Sequence, residues 1–177
     1  PASLVLAIIL FSKKPLAKVI SFALIAITTL SIIKVGFWTY KTVDYYSNFA
    51  SFALGQKTRD DYFNYFGNHV NQTYLAAEYL IPRTESQEKL FIWGDEPYLY
   101  ALSRRVPVGR YTVTYHIVDF NGYGETLNAL SNNPPSFIVI NEQEKRPFPE
   151  FFEFVYKNYK LEKEIGNLDI YHLNQML

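Results

Sequence analysis

The chain has 177 residues, enough for one domain of ordinary size and a membrane anchor, and 17 Lys and Arg balance 17 Asp and Glu. A balanced charge argues for no basic surface, so nucleic acid is not an expected partner. The absence of cysteine excludes disulfides, thiolate chemistry and cysteine-based zinc or iron–sulfur sites. No Asp or Glu occurs from Pro1 to Val43, whereas the remainder carries every acid and every Arg. We therefore expect the two parts to lie in different solvents.

Residues 1–40 are predicted to be membrane helices. Pro1–Ser12 is apolar but too short, at about 1.5 Å per residue, to cross a hydrocarbon core of about 30 Å, so we interpret it as the end of a truncated helix. Val19–Tyr40 has the length and apolar character of a membrane span, with Trp38 and Tyr40 as an aromatic belt. The alternative is a buried helical hairpin of a soluble protein, which the lysines between the two segments disfavour.

The same lysines predict an orientation. Lys13, Lys14 and Lys18 lie in the short turn between the two apolar segments, and the positive-inside rule places such a turn in the cytoplasm. Everything after Lys41 is then expected on the outer, periplasmic side of an inner (cytoplasmic) membrane. Residues 41–61 are polar and aromatic and are interpreted as a juxtamembrane connector. Residues 62–177 are interpreted as an extracytoplasmic domain.

Residues 62–177 alternate between helix and strand signals. Aromatic and apolar residues repeat about every four positions from Tyr62 to Leu80, which predicts a helix closed by Pro82. The predicted strands are Lys89–Trp93, Tyr111–Val118 and Ser136–Ile140. The predicted short helices are Tyr98–Leu102, Glu125–Leu130 and a segment that starts at Pro149. The tail is predicted to be a hairpin of Leu161–Ile165 and Leu168–Leu173, closed by Gly166 and Asn167.

This order of elements predicts the fold class. It is a transmembrane helix or helices followed by an α/β domain, with a mainly parallel sheet flanked by helices and a C-terminal antiparallel hairpin.

The loop after the first predicted strand contains the first candidate site residues. Ligands of α/β domains usually bind where parallel strands end, and the segment Trp93–Tyr98 places a Trp, two carboxylates and a Tyr there. A platform of Trp93 and Tyr98 would stack a sugar ring, and Trp93, Glu96 and Tyr98 are therefore included among the substrate-binding residues. Helix capping by the two acids is the alternative explanation.

Arginines in the next connection supply the other two candidates. Arg104, Arg105 and Arg110 surround Pro107, and an arginine fork suits a phosphate or pyrophosphate. Arg105 and Arg110 are therefore included among the substrate-binding residues. Pairing of these arginines with Asp95 or Glu96 in an exposed loop explains them equally well.

Other chemistry finds little support. Gly122-Tyr123-Gly124 follows a predicted strand, but Leu127 stands where a dinucleotide fingerprint has its third glycine. His69, His116 and His172 lie in different elements without the spacing of metal ligands. No catalytic residue, metal site or cofactor is predicted in this segment.

The run KLFIWGDEPYLYALSRRVPVGRYTVTYHI, residues 89–117, resembles a known family. It is similar to the carboxy-terminal extracytoplasmic domain of bacterial GT-C class membrane glycosyltransferases, relatives of the dolichyl-phosphate-mannose protein mannosyltransferases. The matching motifs are Trp93-Gly94, Pro97-Tyr98-Leu99-Tyr100, Arg105-Val106-Pro107, Arg110-Tyr111, Asn133–Ile140 and Tyr159–Leu173. Val106 is a departure, since Arg and Pro are more often adjacent in that family.

The resemblance implies transfer of a sugar from a polyprenyl-phosphate donor to an acceptor on the outer face, usually with a divalent metal in the full-length protein. The family's catalytic acid lies in the first extracytoplasmic loop, and nothing before Asp44 is acidic here. The segment alone is therefore expected to be inactive and to be an accessory domain. Its expected partners are the lipid bilayer, the polyprenyl-phosphate sugar and an upstream transmembrane bundle. The alternative is a membrane-anchored extracytoplasmic interaction domain without catalytic activity.

Overall fold

The structure is a computed structural model that describes residues 13–36 and 41–174. The chain divides into two compact units, residues 1–56 and residues 57–177. Two sequence interpretations, the truncated helix at Pro1–Ser12 and the aromatic belt of Trp38 and Tyr40, lie outside the described residues.

The first unit contains the apolar helix α1, Pro15–Val35. Pro15 suits the first helical position because a helix leaves its first N–H groups unbonded. Gly36 ends the helix in the left-handed conformation (φ 67°) and donates to the carbonyls of Ile32 and Ile33. At about 1.5 Å per residue α1 is about 30 Å long, so by length and composition it can cross a membrane. Helix α2, Thr42–Ala53, occupies much of the predicted connector.

The second unit begins with two helices where the sequence pattern predicted one. Helix α3 covers Arg59–Asn64 and α4 covers Asn68–Leu80, followed by a 3-10 turn at Ile81–Arg83. Gly67 separates α3 from α4 because its φ of 110° is incompatible with a continuous helix. The four-residue spacing of aromatic and apolar residues continues across Gly67, so this spacing alone did not reveal the break between α3 and α4.

Five strands form one mixed sheet in the order β2-β1-β3-β5-β4. The strands are β1 (Lys89–Trp93), β2 (Val106–Pro107), β3 (Phe137–Asn141), β4 (Tyr159–Ile165) and β5 (Leu168–Leu173). β1 is parallel to β2 and β3, whereas β5 is antiparallel to β3 and β4. The predicted hairpin is confirmed. The expectation of a mainly parallel sheet is only partly met, because the hairpin joins β3 directly and contributes both antiparallel pairs.

Four further helices connect the strands: α5 (Tyr98–Ser103), α6 (Thr114–Asp119), α7 (Tyr123–Asn132) and α8 (Pro149–Asn158). The predicted strand Tyr111–Val118 is wrong, because α6 begins at Thr114, directly after the extended residue Val113, and no strand forms between Tyr111 and Val113. Thr114 and Ile117 are both buried, and residues three apart share a face in a helix but not in a strand. β2 and β3 already pair with β1, so the β-branched propensity of this segment is overridden by tertiary context.

The sheet is covered on both faces. On one face Phe91, Trp93, Ile138 and Ile140 pack in a core cluster with residues of α6, α7 and α8. On the other face Leu90, Ile92, Phe137 and Val139 pack with residues of α4 and α5. Alternate residues of β1 and β3 thus pack in the cores on opposite faces of the sheet. Because both faces are buried, the sequences of these two strands are unbroken apolar runs.

Candidate functional site

The candidate site lies at the carboxyl ends of the parallel strands β1 and β3. Trp93 pairs with Ile140 in the parallel register, so the loop that follows β1 lies beside Asn141, the last residue of β3. β5 begins opposite Asn141 at Leu168, which brings the hairpin turn to the same edge. Polar side chains at this edge surround a cavity of about 210 Å³. They are His69, Gln72, Thr73, Glu96, Asn141, Gln143 and Asn167.

Glu96 is the acidic residue of this cavity. Only 9% of its surface is exposed. Its Oε1 accepts a hydrogen bond from Asn141 Nδ2, and its Oε2 is buried with no hydrogen-bond partner among the described residues. A Cβ at Gly94 would overlap Oε2 of Glu96. Glycine at position 94 therefore leaves the space in which the Glu96 carboxyl group folds back over the end of β1.

The carboxamides around Glu96 are held in place by backbone contacts. Asn141 Oδ1 accepts from the Gln143 backbone N–H at 2.8 Å, and Gln72 Oε1 accepts from the Asn167 backbone N–H at 3.4 Å. Gln72 also fills the space where a Cβ of Gly166 would lie. The hairpin turn and α4 are thereby fixed against each other across the cavity. Amides fixed in this way present donors and acceptors in constant directions.

Burial raises the pKa of Glu96. The Asn141 hydrogen bond opposes this shift, while the negative charges of Asp95 and Glu144 add to it. Beside the cavity, burial also raises the pKa of Tyr98; the side-chain hydrogen bond to Thr73 opposes this, and the charge of Glu96 contributes to it. The site thus holds a carboxyl group in surroundings that disfavour its charged form.

Glu96→Gln should make the unfolding free energy less sensitive to pH. Because burial raises the folded-state pKa of Glu96 above its ordinary value of 4.5, the folded state holds more protons between those two values. The contribution of Glu96 to the free energy of unfolding is therefore most favourable at low pH. It is lost as the pH rises through the pKa that Glu96 has in the folded state. The gain in stability of the Gln variant over the wild type should grow from pH 4 to pH 8, as measured by urea unfolding of the full chain.

Glu153→Gln is the matched control, since Glu153 is an exposed acid on α8. Its stability difference from the wild type should stay nearly constant over the same range. An equal effect of Glu96→Gln at pH 4 and pH 8 would contradict the buried environment of Glu96.

Asp95 has a structural role on the outside of the same loop. Its Oδ1 accepts from the Tyr115 backbone N–H at 3.2 Å, and its Oδ2 accepts from Arg146 at 2.9 Å. Arg146 also contacts Glu144 at 2.9 Å. The partner of Asp95 is thus an arginine before α8, rather than the arginines near Pro107 that the sequence suggested as an alternative.

Trp93 lies in the core and offers no stacking surface. Its side chain is 0% exposed, and its ring centroid lies 5.4 Å from that of Phe148 and 5.3 Å from that of Phe151. The expected platform of Trp93 and Tyr98 does not form. Successive side chains of β1 point to opposite faces of the sheet, and that of Trp93 packs in the core cluster with α8, whereas Tyr98 is the first residue of α5.

Arg105 is also internal, and its five N–H groups all donate within the protein. Nε donates to Thr84 Oγ1 at 2.8 Å, and Nη1 donates to the carbonyls of Ser103 and Arg104 at 3.0 and 3.2 Å. Nη2 donates to the carbonyls of Ile81 and Thr84 at 3.3 and 2.6 Å. Arg105 therefore joins the segment after α4 to the start of β2, with no donor left for a phosphate.

Arg110 lies on the surface, with 66% of its side chain exposed. It pairs with Glu125 at 3.2 Å and donates to the Tyr111 hydroxyl at 2.7 Å. Of the five candidates from the sequence, only Glu96 lines the cavity and Tyr98 adjoins it. Trp93 and Arg105 are structural, and Arg110 is not among the cavity residues.

Most of the polar residues that line the cavity were not predicted from the sequence. Asn141 follows the predicted strand Ser136–Ile140, so the same strand-end argument that selected Glu96 would have found it. Gln72, Thr73 and Asn167 carry no comparable signal, because only the packing of α4 and the hairpin against the sheet edge brings them together.

Comparison of the chain with protein-family models, curated proteins and solved structures gave no match. Among residues 13–36 and 41–174, no group of three or more His, Cys, Asp or Glu side chains is placed to hold a metal ion.

Proposed function

We propose that this chain is the membrane-anchored C-terminal part of a glycosyltransferase that uses a polyprenyl-phosphate sugar, and that its α/β domain binds sugar in the Glu96 cavity. The observation that carries the proposal is the cavity itself, in which the carboxyl group of Glu96 lies among carboxamides held by backbone N–H groups. The catalytic acid lies outside this chain, so the domain contributes binding rather than chemistry.

The chemistry of the cavity suits a small hydroxylated ring. A sugar hydroxyl both donates and accepts hydrogen bonds. Among the residues that line the cavity, Glu96 is an acceptor, and the side-chain amides of Gln72, Asn141 and Gln143 are both donors and acceptors. The volume of about 210 Å³ lies below the range of about 300–1,000 Å³ typical of drug-sized ligands, so one ring fits better than a chain. The lipid and phosphate of the donor would remain outside it.

The apolar helix α1 supports the membrane part of the proposal. Its length and composition suit a bilayer; Lys14 is its N-cap residue and Lys18 lies in its first turn. We extend the proposal to an orientation with this end in the cytoplasm and the α/β domain on the periplasmic side, following the positive-inside rule. Sugars linked to a polyprenyl phosphate would then be presented on the side where the cavity lies.

The full chain in lipid nanodiscs should bind a polyprenyl-phosphate hexose at least tenfold more tightly than polyprenyl phosphate without sugar. One hydrogen bond to a charged group contributes about 1.5–3 kcal/mol, and about 1.4 kcal/mol corresponds to tenfold. Glu96→Gln should reduce this preference, because it removes the carboxylate acceptor. Gly94→Ala should reduce it as well, because the new Cβ displaces the same carboxyl group without changing its charge. Flotation with labelled lipids measures both affinities.

Glu153→Gln, which alters an exposed acid on α8, should leave the preference unchanged. Equal affinity of the wild type for the two lipids would reject the proposal. Exposed aromatic side chains on α6 and just after it would then support the alternative, an interaction domain. Tyr115 is 41% and Phe120 is 67% exposed, and the His116 ring contacts both.

A further inference from the structure

We propose that helix α2 lies in the headgroup layer of the membrane, with its apolar face turned toward the acyl chains. It is independent of the proposed sugar site and requires only that α1 crosses the bilayer. The starting point is the burial pattern of the first unit. Among residues 13–36 and 41–56 the buried residues are Ser21 and Asn48, which are 4% and 3% exposed. A unit that packs in water buries apolar residues in preference to polar ones, so this inverted pattern indicates apolar surroundings.

The sequence of α2 separates polar from apolar residues into two faces. The residues of the polar face are spaced three and four apart and are Asp44, Ser47, Asn48 and Ser51. The residues of the opposite, apolar face are Val43, Tyr46, Phe49 and Ala50. The buried Asn48 belongs to the polar face. The apolar face of α2 is therefore not the one that packs against the described part of the chain.

The large side chains of the apolar face are broadly exposed. Val43 is 80% exposed, Tyr46 is 64% exposed and Phe49 is 53% exposed. Leu54, the C-cap residue of α2, is 72% exposed beside them. A tyrosine ring has an apolar body and a polar tip, so Tyr46 suits the headgroup layer, where one end of the side chain is dry and the other is wet.

Helix α1 brings this face to the membrane surface. α1 is about as long as the hydrocarbon core is thick, so its last residue, Val35, lies at the edge of that core. Lys34 in the last turn suits this position, because its long stem can carry the ammonium group out to the headgroups. Thr42, the first residue of α2, is seven positions after Val35, a distance of at most about 25 Å even for an extended chain. Helix α2 therefore begins close to the membrane surface.

The contact is apolar rather than electrostatic. α2 contains one acid, Asp44, and no Lys or Arg, so anionic lipid headgroups would not attract it. A helix of this kind lies in the plane of the interface and buries its apolar face about 5–10 Å into the boundary between headgroups and acyl chains. Val43, Tyr46 and Phe49 then contact lipid, which accounts for their exposure in the chain by itself.

Spin labels on α2 test this arrangement, and the absence of cysteine from the chain lets each introduced cysteine carry a label at one known position. Phe49→Cys on the apolar face and Ser47→Cys on the polar face form a matched pair, and Leu24→Cys near the middle of α1 reports insertion. In phosphatidylcholine nanodiscs, saturation of the electron paramagnetic resonance signal compares collisions with O₂, which concentrates in lipid, and with a water-soluble nickel chelate. The ratio of O₂ to nickel collisions should be several-fold higher at position 49 than at position 47, and highest at position 24.

A charge on the apolar face should move α2 outward. Tyr46→Glu, made in the Phe49→Cys chain, should remove most of the excess of O₂ collisions at position 49, because a carboxylate is costly to bury among acyl chains. Ser47→Glu is the matched control on the polar face and should leave the ratio at position 49 unchanged. Circular dichroism of each variant checks that the helices remain formed.

Equal ratios at positions 47 and 49, with a high ratio at position 24, would overturn the inference and leave the membrane anchor in place. A label at position 49 that neither O₂ nor nickel reaches would overturn it as well, since an upstream bundle or a second copy of the chain would then cover the face. A low ratio at position 24 would remove α1 from the bilayer, and with it both this inference and the membrane part of the proposed function. Binding of sugar to the Glu96 cavity is measured separately and is affected by none of these results.

Discussion

Trp93→Ala should lower the free energy of unfolding by about 3–5 kcal/mol, the usual cost of emptying the space of a large aromatic side chain in a core. The indole is 0% exposed and packs against Phe148 and Phe151 of the α8 cluster. Its removal leaves a cavity between the sheet and α8, because neither aromatic ring can fill the space without leaving its own contacts. Urea unfolding followed by circular dichroism measures the loss.

Trp93→Phe is the matched control, since it keeps an aromatic ring at the position and removes less volume. Nε1 of Trp93 has no hydrogen-bond partner among the described residues, so loss of this donor should cost little in itself. The Phe variant should therefore be clearly more stable than the Ala variant. If Trp93→Ala instead kept nearly full stability but lost sugar binding, Trp93 would be a ligand contact and its burial in this structure would be wrong.

Arg105→Lys should lower the free energy of unfolding by about 2–4 kcal/mol. Lysine has three donors on a point charge and cannot reproduce a planar group that bonds to four carbonyls and a hydroxyl. At least two of those acceptors, all close to a side chain that is 8% exposed, would be left without partners, at about 1–3 kcal/mol each. Thermal and urea unfolding of the full chain test this.

Arg104→Ala is the control for Arg105, because Arg104 is adjacent and exposed and its backbone carbonyl is unchanged by the substitution. An exposed substitution of this kind should stay within about 0.5 kcal/mol. Preserved stability of Arg105→Lys, together with weaker binding of a polyprenyl phosphate, would restore the phosphate role that the sequence suggested.

The residues that carry the family resemblance are mostly structural in this chain. Trp93 is a core residue, Gly94 makes room for the Glu96 carboxyl group, and Arg105 joins two segments of backbone. Pro107 lies in the short strand β2. The motifs therefore bear on how the domain folds more than on what it binds.

The apolar helix, β1, β3, α7, α8 and the hairpin were predictable because their signals are local. Dense apolar runs, Pro149 at a helix start and Gly166-Asn167 between two strands specify an element without reference to the rest of the chain. The segment Tyr111–Val118 was not predictable, since its β-branched residues favour a strand, whereas the structure has a helix from Thr114 that buries Thr114 and Ile117 on one face.

The residues of the candidate site also divide into those that local sequence signals predicted and those that only the tertiary structure brings together. The sequence by itself determined that an acidic loop follows β1 and that such a strand end is a place for ligands, and Glu96 of that loop lies in the cavity lining. Only the tertiary structure decided that Trp93 and Arg105 face inward and that Gln72, Asn141 and Asn167 surround Glu96. The reason is that burial and side-chain direction depend on register and on which helix covers which face, and contacts between distant segments set both.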